Sequence, residues 1–234
     1  MKKLLLALAL SLAAAGAQAV PLSTLLGGGT ITAGDKLFDQ WALTYELTSG
    51  QVNAANTALI DVTSLADGGD DPGPGININF ADQMTVGGDG TYAFHDLTLA
   101  FRVSTLGSKK IKDNSLTFGN PPSGLTWVLD NSNDLGMYVR ETVKDALGNE
   151  LADKSIEFSI LDDVETRDFP DSAQFAYQDE IFVVKNFLVW AVDATDTAAL
   201  AGVEQRFSQA PEPASIALIT LALAGLVASR RRKQ

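Results

Sequence analysis

The 234-residue chain has no cysteine, one histidine and, away from its two ends, few basic side chains. Without cysteine there is no disulfide framework, no thiol nucleophile and no zinc–thiolate site. A single histidine is too few for a histidine-based zinc centre. Of 17 basic residues, six sit at the termini: Lys2, Lys3, Arg230, Arg231, Arg232 and Lys233. Residues 20–209 therefore hold 11 basic against 28 acidic side chains, net −17, where the whole chain shows −12. That balance excludes a basic groove, so no nucleic-acid partner is expected. The chain also lacks an amphipathic helix of three turns and any repeat of fixed period. Its middle is long enough for one sizeable core and awkward for two.

What is present is most explicit at the ends. Met1-Lys2-Lys3 is a short positive start, Leu4–Ala15 is a Leu/Ala run, and Ala17-Gln18-Ala19 is a small-x-small cleavage site. This is the three-part anatomy of a secretory signal peptide, so residues 1–19 are assigned to one, cut by signal peptidase near Val20. The apolar run is shorter than the ~20 residues that span a bilayer. At the other end, Pro211-Glu212-Pro213 precedes sixteen uncharged residues, 214–229, and then Arg230-Arg231-Arg232-Lys233. Sixteen helical residues reach ~24 Å, thin for a ~30 Å hydrocarbon core, which snorkelling arginines or local thinning would cover. By the positive-inside rule the basic cluster stays cytoplasmic and the middle of the chain faces outward.

Pro-Glu-Pro, apolar helix and terminal arginine cluster together resemble the PEP-CTERM sorting signal of exopolysaccharide-producing Gram-negative bacteria. The resemblance implies that residues 210–234 are a sorting signal read by an inner-membrane exosortase. That enzyme would remove the helix and tail and pass the protein to the cell surface or an extracellular biofilm matrix. The two prolines hold the motif extended and stop the following helix from propagating backwards. A permanent single-span anchor is the alternative.

Between the ends, residues 20–209 read as one strand-rich passenger domain. Trp41, Leu43, Tyr45 and Leu47 alternate with more polar neighbours, as do Ile76, Ile78 and Phe80, then Leu97–Val103, then Ile156–Ile160. Each pattern predicts a strand with one face in a core. Residues 181–192 are apolar on both faces and predict a central strand covered on both sides. Ala33-Gly34-Asp35-Lys36, Asp67–Gly75, Gly87–Gly90, Asn120–Gly124 and Leu147-Gly148-Asn149 supply turns. The fold class expected is all-β, an antiparallel β-sandwich of jelly-roll type. Gly29–Phe38, Asp171–Phe175 and Arg206–Gln209 also resemble stretches of PEP-CTERM passenger domains, which implies an uncharacterised sandwich and no catalytic residues.

Candidate chemistry is sparse. His95 beside Asp96 lacks a Gly-x-Ser-x-Gly elbow, and adjacent strand residues point to opposite faces. Glu165, Asp168 and Asp171 around Phe169 are carboxylates near an aromatic, but pairs among 28 acids arise by chance. Calcium is the one cofactor the oxygen-rich composition could serve, through Asp67, Asp70 and Asp71 or through Asp130 and Asp134. The Asp130 stretch places Glu141 at the twelfth position, yet Leu135 stands where an EF-hand requires glycine. Trp41 and Trp190 lie in apolar runs and are expected in the core, leaving Trp127 as the best candidate for an exposed ring in carbohydrate stacking. The function expected is structural or adhesive and not enzymatic, with extracellular polysaccharide as a partner. An extracellular glycan-active enzyme and an anchored periplasmic binding module are the alternatives.

Overall fold

The computed structural model describes residues 19–119, 125–128 and 134–211, with 125–128 and Pro211 as backbone course only. The signal-peptide stretch through Gln18, Asp130, Glu212, Pro213 and the basic tail lie outside these residues. Among the described residues no helix is long and apolar enough to cross a membrane. The span expected at 214–229 is not among them.

The strands in chain order are β1 Ala19–Pro21, β2 Ile31–Ala33, β3 Lys36–Thr48, β4 Asp61–Leu65, β5 Gly75–Asn79, β6 Thr85–Gly87, β7 Ala93–Thr105 and β8 Lys109–Phe118. They continue as β9 Leu125–Val128, β10 Leu135–Lys144, β11 Glu150–Leu161, β12 Val164–Asp168, β13 Asp171–Gln178, β14 Glu180–Ala191, β15 Thr197–Leu200 and β16 Gly202–Pro211. A five-residue helix, α1, spans Leu22–Leu26. One sheet runs β1-β4-β5-β16-β8-β13 and the other β12-β11-β10-β14-β7-β3-β2; a small third sheet, β6-β15-β9, lies beside the start of β7 and the end of β14. Every pairing is antiparallel. The molecule is an antiparallel β-sandwich, as the alternating patterns predict.

One apolar cluster fills the space between the two large sheets. Phe38 of β3 meets Phe207 of β16 across it at 5.6 Å, and Phe80, just after β5, meets Phe187 of β14 at 4.9 Å. Trp41 is buried as expected and stacks on Phe101 at 4.5 Å. The hairpin at Ala33–Lys36 forms where glycine allows it, with Gly34 at φ +56°.

Two of the sequence patterns resolve differently. The run Trp41, Leu43, Tyr45, Leu47 does not share one face, because the β3–β7 register shifts between Asp39 and Ala42 and again between Leu43 and Tyr45. An extra residue in one strand flips everything after it. Trp41 and Leu43 consequently turn inward, while Tyr45 and Leu47 are exposed on the outer face. Strand β14 is central, but its two faces differ. Ile181, Val183, Lys185, Phe187 and Val189 are buried, whereas Phe182, Val184, Asn186, Leu188 and Trp190 are only half-buried. Among the described residues no second layer seals the outer side.

Candidate functional site

The outer face of the seven-stranded sheet carries the most distinctive surface. Its composition follows from the register. Across β11, β10, β14, β7 and β3, one row reads Glu157, Tyr138, Leu188, Asp96, Leu47. The next reads Ser155, Arg140, Asn186, Thr98, Tyr45. A third, toward the small sheet, reads Ser159, Gly136, Trp190, Phe94. Because side chains alternate across a strand, these residues all stand on one side of the sheet.

Glycine at 136 decides how Trp190 lies. A Cβ there would stand 2.4 Å from Trp190 Cζ2 and 2.8 Å from Ser159 Cβ. The indole therefore occupies the space above β10 that a side chain would fill, on the outer face of the sheet, and stays half-buried there. Ser159 is buried on this same face, and its Oγ donates to Glu157 Oε1 at 2.6 Å. Phe94, next to Trp190 in register, packs against Tyr92 at 5.6 Å, and Tyr92 remains 49% exposed. Burial, and then the charge of Asp96, pushes the Tyr92 hydroxyl above its ordinary pKa.

A fixed polar group sits in the middle of this aromatic surface. Asn186 Nδ2 donates to Asp96 Oδ1 at 2.5 Å and to Thr98 Oγ1 at 2.9 Å. Arg140 grips Asp153 with two nitrogens at the rim. At the same end of the sandwich as Trp190, residues 51–54 and β6 border a cleft of about 370 Å³. The combination is rigid aromatic surface with planar hydrogen-bonding groups held in place beside it.

The residues singled out in the sequence mostly lie elsewhere. His95 is fully buried on the inner side of β7, and its Nε2 is 2.9 Å from Glu46 Oε1. Asp96 points to the opposite face, so the two form no catalytic pair. Glu165 is ion-paired with Arg167, Asp168 is exposed, and Asp171 accepts a hydrogen bond from the Ser155 amide at 3.0 Å. Phe169 packs edge-on to Phe118 at 4.9 Å. The three carboxylates do not converge.

The calcium candidates among the described residues, Asp67, Asp70, Asp71 and Asp134, are likewise occupied by the protein itself. Asp70 is 2.5 Å from Lys109, Asp71 is 2.9 Å from Lys112, and Asp67 is 3.1 Å from Arg206. The hydrogen bonds from Lys109 and Lys112 hold Asp70 and Asp71 below the usual carboxylate range. Asp134 accepts from the Asp162 amide at 3.1 Å. Among the described residues no group of three or more histidine, aspartate or glutamate side chains is placed to hold a metal. Glu141, the formal twelfth position, is turned into the core.

Trp127 lies on β9, where only the backbone is described, and Trp190 corrects the expectation that it is a core residue. The run 181–192 reads as doubly apolar whether a second layer covers it or solvent does, so sequence alone gave no sign of the difference. Ala19 opens β1 opposite Thr63. Pro211 closes β16 opposite Lys109, which brings the last strand of the sandwich directly to the Pro-Glu-Pro.

Residues 209–233 match the PEP-CTERM protein-sorting motif. The match takes in Pro211, Glu212, Pro213 and the Arg230–Lys233 cluster. A PEP-CTERM motif implies export through the inner membrane and processing by an exosortase. No curated protein is similar to the chain as a whole. Among solved structures it is similar to the enzymatically active domain of tailspike protein 4 from bacteriophage CBA120. That likeness has 14% identity and a TM-score of 0.26, covering 71% of this chain and 19% of that one. The chain thus spans under a fifth of the tailspike's length. It is also similar to a carbohydrate-binding module with specific mannan recognition (9% identity, 72% of this chain and 97% of that one, TM-score 0.26). A xylan-binding domain from Paenibacillus barcinonensis is similar at 10% identity, over 77% of this chain and 99% of that one, with a TM-score of 0.25. Likenesses this weak carry no argument about what the PEP-CTERM-tagged sandwich binds.

Proposed function

We propose that the chain is an exosortase-processed protein of the cell surface or extracellular matrix that binds neutral polysaccharide on the outer face of its seven-stranded sheet. The observation that carries this reading is the half-buried Trp190 indole seated over Gly136 on the outer face, beside the fixed Asn186–Asp96–Thr98 group. A pyranose presents an apolar face ringed by hydroxyls. A flat aromatic with planar amide and carboxylate groups alongside complements both parts. The net charge of −17 on residues 20–209 disfavours anionic polymers and leaves neutral ones as the partner class. Connectivity favours the jelly-roll form of the sandwich, since the chain crosses between sheets from β5 to β7, β7 to β8 and β8 to β10, and β16 returns beside β5.

Binding without turnover is part of the same proposal. Asp96 and Glu157 stand in one row, three strand spacings apart, or about 14 Å between backbones at ~4.8 Å per strand. Glycoside hydrolysis uses carboxyl pairs about 5–9.5 Å apart. A glycan-active enzyme would have to use other carboxylates.

The test is affinity electrophoresis of the processed protein through gels containing a neutral β-glucan, mannan or xylan, with an anionic polysaccharide gel alongside. Retardation in at least one neutral gel is expected, with Trp190→Ala weakening it by about 30-fold, the equivalent of about 2 kcal/mol for a buried aromatic anchor. Gly136→Val, which lifts the indole off the sheet, should weaken it as well. Equal retardation of both variants and the parent, with circular dichroism unchanged, would sink the reading; release of reducing ends would replace it with the enzyme.

A further inference from the structure

One cluster inside the sandwich is used by neither the sheet face nor the sorting tail. Asn114 of β8, Glu141 of β10, Lys154 of β11 and Lys185 of β14 meet between the two large sheets, none more than 3% exposed. Lys154 Nζ lies 2.5 Å from Asn114 Oδ1 and 2.5 Å from Glu141 Oε1. The Asn114 amide nitrogen donates to that same Oε1 at 2.6 Å. Lys185 holds the other carboxylate oxygen, which also accepts from Gln205 Nε2 at 2.5 Å.

The charges in this cluster do not balance. Two ammonium groups face one carboxylate, and a buried charge without a partner is strongly unfavourable. Loss of a proton from one lysine removes the excess, and a neutral amine is a nucleophile. The two lysines differ in what they touch. Lys185 is bonded to the carboxylate alone, whereas Lys154 is bonded to the carboxylate and also to the carbonyl of a carboxamide.

We propose that Lys154 and Asn114 condense, without any other catalyst, into an isopeptide bond that ties the two sheets together, with Glu141 as the proton shuttle. Lys154 first releases one proton to solvent and becomes the neutral amine. Its lone pair attacks Asn114 Cγ, forming the Nζ–Cγ bond. Glu141 Oε1 contacts both the attacking and the departing nitrogen, so it takes one proton from Nζ and hands it to Nδ2. The Cγ–Nδ2 bond then breaks and ammonia leaves. Nζ keeps one proton as an amide, Nδ2 departs with three, and Glu141 is again a carboxylate. What remains is Glu141 paired with Lys185, a neutral pair in place of a net positive cluster. Burial pulls the Lys185 ammonium down to about 8 even against the attraction of Glu141, a sign of how poorly the site supports positive charge.

Tryptic mapping of the purified full chain, denatured before digestion, is the test. An unlinked chain yields peptides 113–140 and 145–154. The linked chain is not cut at Lys154, so it yields one branched species joining 113–140 to 145–167. That species should be about 17 Da lighter than its two parts together, the mass of the ammonia lost in an amide-forming attack by lysine. Glu141→Gln should return the two linear peptides; should that variant fail to fold, parent chain recovered unfolded from inclusion bodies and kept in urea is compared with the same chain refolded, and only the refolded chain should become branched. Linear peptides from the folded parent overturn the proposal. So does a light but unbranched 113–140, which marks a succinimide at Asn114, or branching in the urea-held chain.

Discussion

At the residue scale, Glu141 and Lys185 give the sandwich a definite pH response. Burial alone would raise the Glu141 pKa, but in the chain before Lys154 and Asn114 condense the charges of Lys185 and Lys154 outweigh it and hold the group at about 2. The ordinary value is 4.5, so the folded state binds the proton less readily than the unfolded one. The stabilisation is present above pH 4.5 and is lost as pH falls through about 2. Lys185 is lowered from 10.5 to about 8. Between those values the unfolded chain binds more protons, so stability rises with pH through that window. Urea midpoints measured from pH 2 to 10.5 should therefore climb at both ends of the range. Glu141→Gln should flatten the acid limb and destabilise at neutral pH by about 3–5 kcal/mol, because it strands buried ammonium. Lys185→Met should flatten the alkaline limb. An unchanged acid limb in Glu141→Gln would mean other carboxylates control it. The sequence around Glu141 marks only its facing, since it falls in phase with the inward Met137, Val139 and Val143; its partners are 13 and 44 residues away and carry no local signal.

At the element scale, the loop between β4 and β5 shows how a charge pattern reads one way in sequence and acts another way in the fold. Asp67, Asp70 and Asp71 look like a hard-cation site because they are close in sequence and flanked by glycine and proline. The fold instead lays the loop along β8 and β16, where Lys109, Lys112 and Arg206 meet the three carboxylates one by one. Calcium would have to displace three ammonium or guanidinium partners to bind there. Thermal melts in millimolar calcium and in chelator should give the same midpoint; a rise of several degrees with calcium would show that the carboxylates abandon their partners for the ion. Other elements were more legible. Alternation located the strands around Ile76, Leu97 and Ile156, and the glycine hairpin before Lys36 formed as its turn chemistry dictates. Strand β3 was legible in extent but not in facing, since nothing in the composition at Gln40 or Thr44 marks the register shifts that turn Tyr45 and Leu47 outward.

At the scale of the whole molecule, Pro211, where the last strand meets the sorting motif, and the Trp190 row lie at opposite ends of the sandwich. Pro211 pairs with Lys109, which follows Thr105 at the end of β7 across a three-residue turn. Trp190 pairs with Phe94 near the start of β7. Phe94 and Thr105 are separated by most of that 13-residue strand, about 36 Å at ~3.3 Å per residue. A chain still held by its tail would thus present the Trp190 row away from the point of attachment. The terminal motifs were readable because they act as extended sequence in order, whereas this arrangement depends on strand direction, which only the sheet topology supplies. On the proposed function, binding should not need exosortase cleavage. Full-length chain purified in detergent from a host without an exosortase should be retarded by the same neutral polysaccharide gel, within about threefold, as the processed protein. A tenfold or greater gain on removal of the tail, about 1.4 kcal/mol, would show instead that the tail masks the face and that processing switches binding on. Displaying the uncut chain on spheroplasts and staining with labelled polysaccharide makes the same comparison at the membrane, where orientation matters most. Staining there, lost in Trp190→Ala, is the expected outcome, because β16 leaves the sandwich at Pro211, at the end away from Trp190.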